Sequence, residues 1–234
     1  MQVGDHYKHL LQQLANQKEL LGILIDPDKF DLDRTEEYID RLPKGATHIL
    51  VGGSTVKNGQ TDLAVQAIRQ CTQLPVWLFP GDHHQISERA DVLMFLSLLS
   101  GRNPEYLIGQ QLKAAAHLKD TSLEVIPTAY ILVDGGHRSA VQQVTGTLPM
   151  PQEDVEEITH TALAGQLMGA SMVYLEAGSG AITPVRPQVI QAVQEVLDVP
   201  LIVGGGIRSQ ETLRQTYKAG ANMVIMGTHF ETPS

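Results

Sequence analysis

The chain has 234 residues, of which 42% are hydrophobic, 18% charged and only 5% aromatic. That composition excludes a disordered or fibrous protein and fits one globular domain whose core is built from aliphatic side chains. Seventeen basic residues against twenty-six acidic ones give a net charge of -9, which excludes nucleic-acid binding through a broad basic face. An anionic ligand must instead be held by a local cradle of backbone N–H groups or by a metal.

The first element expected is an amphipathic helix from about Tyr7 to Gln17. Eight short apolar runs follow: 20–26, 48–53, 76–80, 91–99, 123–133, 172–178, 201–206 and 223–227. Between them lie segments with apolar positions three and four apart, among them TDLAVQAIRQC, QEDVEEITHTALAGQLM and RPQVIQAVQEVL, which predict helices. The lone cysteine, Cys71, sits in the helical alternation AVQAIRQC and reads as a small buried hydrophobe. Two units depart from the pattern. GDHHQISERA after the third run is too short for a full helix, and the chain stops at Ser234, leaving room for only a short turn after the eighth run. The stretch HRSAVQQVTGTLPMP after the fifth run reads as a longer loop or lid.

Runs apolar on both faces, alternating with amphipathic helices, indicate parallel strands covered by helices. Eight such units predict a single (β/α)8 TIM barrel over residues 1–234, with modified third and eighth helical units. An open doubly wound sheet is built from the same units. Against it, no glycine fingerprint opens a helix after the first run, and GSGAIT comes late in the chain without an acidic partner. No stretch approaches the roughly 18 apolar residues of a membrane span, and the amino terminus carries no apolar block, so a cytoplasmic protein with at most transient membrane-surface contact is expected.

A barrel brings the carboxyl ends of its strands to one mouth. There the segments Tyr174–Gly180, Gly204–Gly206 and Gly227–Thr228 stand on consecutive strands. Their glycines permit tight turns and close approach of N–H groups to a phosphate, with hydroxyls from Ser179 and Thr228 as added donors. Asp26 and Asp28 flank Pro27 in IDPDK; one carboxylate offers a hard oxygen for Mg2+, although two acids in such a loop also serve as a turn or helix cap. Ser54, closing GGS, is a further hydroxyl ligand or a turn residue. Glu176, inside YLEAG, is a carboxylate in a strand that otherwise reads as core, which fits a general base or a structural carboxylate satisfied by N–H groups. His83 and His84 suit the solvent-facing rim better than a zinc site. His137 and Arg138 are placed to meet an entering substrate, and Arg102 and Arg186 are further candidates for a second anionic group.

The segments LIDPDK, VGGS, YLEAGSG, VGGGIR and MGT, ordered along nearly the whole chain, resemble the geranylgeranylglyceryl phosphate synthases and the related heptaprenylglyceryl phosphate synthases. The resemblance implies transfer of a prenyl group from its diphosphate to the C3 hydroxyl of sn-glycerol 1-phosphate, forming an ether. It implies that Tyr174, Leu175, Glu176, Ala177, Gly178, Ser179, Gly180, Gly205, Gly206, Gly227 and Thr228 hold glycerol phosphate. It further implies that Asp26 and Ser54 bind Mg2+, that Glu176 receives or orients the hydroxyl proton, and that the protein is a homo-oligomer. The prenyl tail needs an apolar groove, for which the MFLSLL and PTAYILV strands, with Tyr130 and Ile131, are candidates. GTLPMP and LIDPDK favour the geranylgeranyl-using branch. Two other functions suit a late-strand phosphate site on a barrel: a phosphosugar isomerase or lyase, which needs no prenyl groove, and a phosphometabolite-binding barrel without turnover.

Overall fold

The computed structural model describes residues 4–227. Its eight strands are β1 (Leu20–Ile25), β2 (Ala46–Val51), β3 (Val76–Leu78), β4 (Val92–Leu98), β5 (Glu124–Leu132), β6 (Met172–Glu176), β7 (Leu201–Gly204) and β8 (Met223–Met226). They pair in chain order and β8 closes on β1, all in parallel, as a (β/α)8 barrel. Each strand lies within one of the eight apolar runs or begins at most two residues before it.

Strand periodicity divides the core in two. Side chains of a strand alternate between its faces, and the two sets form separate clusters here. Leu20, Leu50, Trp77, Met94, Tyr130, Tyr174, Ile202 and Ile225 fill the barrel interior. Leu21, Ile23, Ile131, Val173, Leu175, Val203 and Val224 point outward under the helices. On β1 the inward position between Leu20 and Leu24 is Gly22, because a Cβ there would lie 2.5 Å from side-chain atoms of both Ile225 and Leu50.

The expected first helix is α1 (Asp5–Ala15). It closes the amino-terminal end of the barrel by packing Leu10, with Tyr7 and Leu14, onto the interior cluster. Its unpaired first-turn N–H groups are satisfied from β5: Glu124 accepts from His6 N and Tyr7 N, each at 2.8 Å. The outer helices are α2 (Thr35–Asp40), α3 (Gln60–Cys71), α4 (Gln110–Leu118), α5 (Ala140–Thr145), α6 (Val155–Leu167), α7 (Pro187–Gln194) and α8 (Gln210–Lys218). No helix joins β3 to β4, as the short GDHHQISERA segment requires, and a π-helical turn over Glu105–Gly109 precedes α4. The expected lid between β5 and α6 is not a free loop. It contains α5, capped by Ser139, and then returns to the barrel where Met150 pairs with Val133 and its carbonyl accepts from Asp134 N. Cys71 closes α3 only half-buried rather than in the core. The eighth helical unit and Thr228 lie outside the described residues.

Candidate active site

The carboxyl ends of the strands surround a cavity of about 330 Å³. Asp26 enters it from the β1 loop, Ser54 from β2, Tyr174 and Glu176 from β6, Ser179 and Gly180 from the following turn, Gly205 and Gly206 from β7 and Gly227 from β8. The barrel therefore brings the first, second, sixth, seventh and eighth units to one mouth.

On β6 the sequence MVYLE alternates about the barrel wall, so Tyr174 and Glu176 face inward two residues apart. The Tyr174 hydroxyl donates to Glu176 Oε2 over 2.7 Å, and Gly178 N donates to Oε1 over 2.7 Å. Glu176 is only 6% exposed. Burial raises its carboxyl above the ordinary value, and the two donors pull it back down. Burial beside that carboxylate also holds the Tyr174 hydroxyl protonated. A carboxyl group with a raised proton affinity at a cavity wall has the properties of a general base.

Glycine is required around this pair. Gly205 has a φ of +85°, and a Cβ on it would lie 2.5 Å from Glu176 Oε1 and 2.8 Å from the backbone nitrogens of Ala177 and Gly178. Gly205 and Gly206, the latter at φ +73°, carry N–H groups with no hydrogen bond among the described residues. With the N–H of Gly180 they are backbone donors left unbonded at this cavity among the described residues, an arrangement able to hold an anion. Gly178 differs from expectation, since its N–H is committed to Glu176. Leu175 and Ala177 also contribute no side chain: both pack outward in the helix-covered cluster, and Ala177 N donates to Gly204 O. A motif taken as a continuous block ignores that every second strand residue turns its back on the site.

Asp26 lines the same cavity, with Lys29 Nζ at 2.7 Å from Oδ2 and Asp28 N donating to Oδ1 at 3.1 Å. Asp28 lines the cavity as well, and accepts from Lys57 N, which ties the β1 and β2 loops together. Gly53 keeps the front of Asp26 open, because a Cβ there would approach Oδ1 to 3.3 Å. Ser54 is positioned by Gln85, whose buried amide accepts from Gly53 N and donates to Gly53 O. Among the described residues no group of three or more His, Cys, Asp or Glu side chains gathers to form a protein-only metal cage. One carboxylate and one hydroxyl at an anion site suit Mg2+, which commonly takes the rest of its shell from phosphate oxygens and water.

A second, apolar cavity opens from the first. Gly53, Ser54, Phe79, Tyr130 and Val141 line both. It continues between β4 and α4 past Met94, Leu96, Leu98, Tyr106 and Ala114, so the MFLSLL strand and Tyr130 lie where a tail groove was expected. Ile131 does not, because it faces the outer cluster. Phe79, Tyr130 and Tyr174 pack their rings 5.2 to 5.7 Å apart at the junction of the two cavities.

The other basic candidates resolve differently. Arg102 pairs with Glu157 at 2.5 Å and Arg186 with Glu153 at 2.9 Å, both away from the cavity lining. Arg138 is exposed. His83 lines the apolar cavity and bonds to Gln110, and the His84 ring lies against it, tilted, with centroids 3.8 Å apart. Lys29 and Arg208, neither singled out from the sequence, are the cations that line the anion cavity. Their positions inside DPDK and GGGIR, next to the expected ligands, were the available signal.

The model of the PcrB family matches residues 13–233. A geranylgeranylglyceryl phosphate synthase of Zunongwangia profunda is 53% identical over 92% of this chain and 92% of its own length. This chain belongs to the geranylgeranylglyceryl phosphate synthase family. The crystal structure of the (S)-3-O-geranylgeranylglyceryl phosphate synthase from Thermoplasma acidophilum, in complex with its substrate sn-glycerol-1-phosphate, is similar at a TM-score of 0.89 with 36% identity, covering 97% of this chain and 92% of that one. An N-acetylmannosamine-6-phosphate 2-epimerase from Clostridium perfringens shares 12% identity at a TM-score of 0.55, covering 90% of this chain and 87% of that one, a likeness of fold alone. Family membership makes the chain a prenyltransferase of the type that acts on glycerophosphate.

Proposed function

We propose that this protein transfers a geranylgeranyl group from geranylgeranyl diphosphate to the C3 hydroxyl of sn-glycerol 1-phosphate, giving the ether and diphosphate. The observation that carries the reading is the adjacency of two cavities of different character: one holding Glu176 and the unbonded glycine N–H groups adjoins an almost wholly apolar one at Tyr130 and Val141. A phosphosugar isomerase or a simple phosphate binder has no use for the second.

The phosphate of glycerol phosphate rests on the N–H groups of Gly180, Gly205 and Gly206, with Gly227 at the same mouth. Glu176 accepts the proton of the C3 hydroxyl as that oxygen bonds to the allylic carbon and the bond from that carbon to diphosphate breaks. Asp26 and Ser54 would hold Mg2+, which when bound would supply positive charge to neutralise the diphosphate leaving group. The apolar channel removes the tail from water, at roughly 0.8 kcal/mol per buried methylene.

The same reading places the protein in the cytoplasm, working on a lipid precursor at or near a membrane surface; no described helix is long and apolar enough to cross one. It also makes the protein a homo-oligomer, a reading supported by exposed Ile108 and Leu112 beside α4 and Leu167 and Met168 at the end of α6. The deciding experiment is mass analysis of products after incubation with sn-glycerol 1-phosphate, Mg2+ and C15, C20 or C35 diphosphate. The C20 ether phosphate is expected as the main product; a folded sample that makes none refutes the activity, and preference for C35 refutes the chain length.

A further inference from the structure

His137 was expected to meet the substrate directly, yet its side chain does not line the anion cavity. Its ring lies against the turn after β6, with Nε2 3.0 Å from the carbonyl oxygen of Ser179. A carbonyl has no hydrogen to give, so Nε2 carries the proton and donates it. The other ring nitrogen, Nδ1, is buried without a hydrogen-bond partner. The one hydrogen bond made by the imidazole is therefore spent on the β6 turn.

That bond fixes a peptide plane. In a trans peptide the C=O and the N–H of the next residue point in opposite directions. Holding Ser179 O toward His137 thus turns the N–H of Gly180 the other way, toward the cavity that Ser179 and Gly180 line. The Gly180 N–H has no hydrogen bond among the described residues. Ala181 N closes the turn by donating to Gly178 O at 3.0 Å, a closure compatible with two orientations of the central peptide, and that peptide lies between Gly178 at φ +96° and the flexible residue Gly180 at φ +80°. The next two carbonyls, of Gly180 and Ala181, each accept from Arg208 Nη2 at 3.0 Å. Two loops that the barrel brings together clamp one flexible turn.

We infer that His137 is a positioning residue for the phosphate group: by holding the Ser179 carbonyl it keeps the Gly180 N–H aimed at the anion before the anion arrives. The inference rests on the proposed function only in taking that anion to be the phosphate of glycerol phosphate. A donor set in place beforehand spares the ligand the cost of ordering it.

The test compares wild type with His137→Ala, His137→Asn and His137→Gln. Calorimetric Kd values for sn-glycerol 1-phosphate and for inorganic phosphate are measured, together with KM and kcat. Glutamine can place an amide N–H near the position of Nε2, whereas asparagine stops short. The Ala and Asn variants should raise both Kd values and the glycerol phosphate KM about tenfold, the scale of one lost hydrogen bond to an anion. Their kcat should stay within about twofold, and Gln should recover most of the loss. Unchanged Kd values in folded Ala and Asn variants would overturn the inference, as would a Gln variant no better than Asn, or a fall in kcat at constant KM. If the Ala variant does not fold, the Asn and Gln pair gives the same comparison. Wild type that binds both anions but forms no ether sinks the proposed activity and leaves the role of His137 standing; wild type that binds neither overturns both.

Discussion

The Tyr174 hydroxyl and the Glu176 carboxylate, on one face of β6 and 2.7 Å apart, form a buried donor–acceptor pair at the wall of the anion cavity. Room for it comes from the neighbouring strand, where Gly204 stands opposite Glu176 and its missing side chain would collide with the Tyr174 hydroxyl. Burial lifts the proton affinity of Glu176, and Tyr174 is the first of the groups that lower it again.

Tyr174→Phe removes that opposition. The Glu176 carboxyl should rise further, so the acid limb of the kcat/KM profile should move to higher pH, with a smaller loss at alkaline pH than at pH 6. A pH–rate profile checks this, and an acid limb left in place would show that Glu176 does not set it.

Glu176→Gln should lower kcat by about 100-fold or more while glycerol phosphate still binds. It should also change how stability depends on pH. Because the folded value of Glu176 lies above the ordinary 4.5, the native state keeps a proton that the unfolded chain loses, and stability falls as pH rises from 4.5 through the folded value. Glutamine lacks this term. The Tm of the variant relative to wild type should therefore climb with pH over that interval and level off above it; a constant difference across the range would contradict the raised value.

Gly205→Ala forces a side chain into left-handed backbone, at a cost of roughly 1–2 kcal/mol, and pushes a methyl against Glu176 Oε1. Glycerol phosphate affinity and kcat should both fall by at least about tenfold. Calorimetry beside steady-state kinetics reads the two effects, and normal affinity would remove the β7 turn from the anion site.

Asp26→Ala takes away the one carboxylate assigned to Mg2+. Half-saturation in a magnesium titration of turnover should rise at least about tenfold, with little change in glycerol phosphate Kd. An unaltered magnesium curve would end the assignment.

Ala114→Leu narrows the apolar channel between β4 and α4, at an overpacking cost of about 1–3 kcal/mol. Turnover should shift from C20 toward C15 diphosphate while the glycerol phosphate KM holds. Competition between the two diphosphates measures it, and an unshifted ratio would place the tail elsewhere.

The strands were legible because a parallel strand covered on both faces must be apolar throughout, and each of the eight lies in or beside an apolar run of five to eleven residues. The missing third helix was legible from length alone. Within YLEAGSG the strand period already separates Tyr174 and Glu176 from Leu175, a distinction the motif taken whole obscures. Cys71 was read too deep because helical alternation marks a face but not the helix end where burial fades. His137, Gln85 and Arg208 carried no such signal: each holds the backbone of a turn on another unit, and only three-dimensional adjacency shows which carbonyl or N–H it reaches.

What the sequence by itself determined is the eight strand segments, their order along the chain and the polar and glycine residues at their carboxyl ends, since periodicity dictates them; closure into a barrel came from the pairing of β8 with β1. Tertiary structure decided which of those groups are free to bind. Gly178 spends its N–H on Glu176, Asp28 is absorbed in a loop contact, and Arg102 and Arg186 pair with acids elsewhere. A hydrogen-bonding group can be committed only by a partner at about 3 Å, and folding, rather than spacing along the chain, chooses that partner.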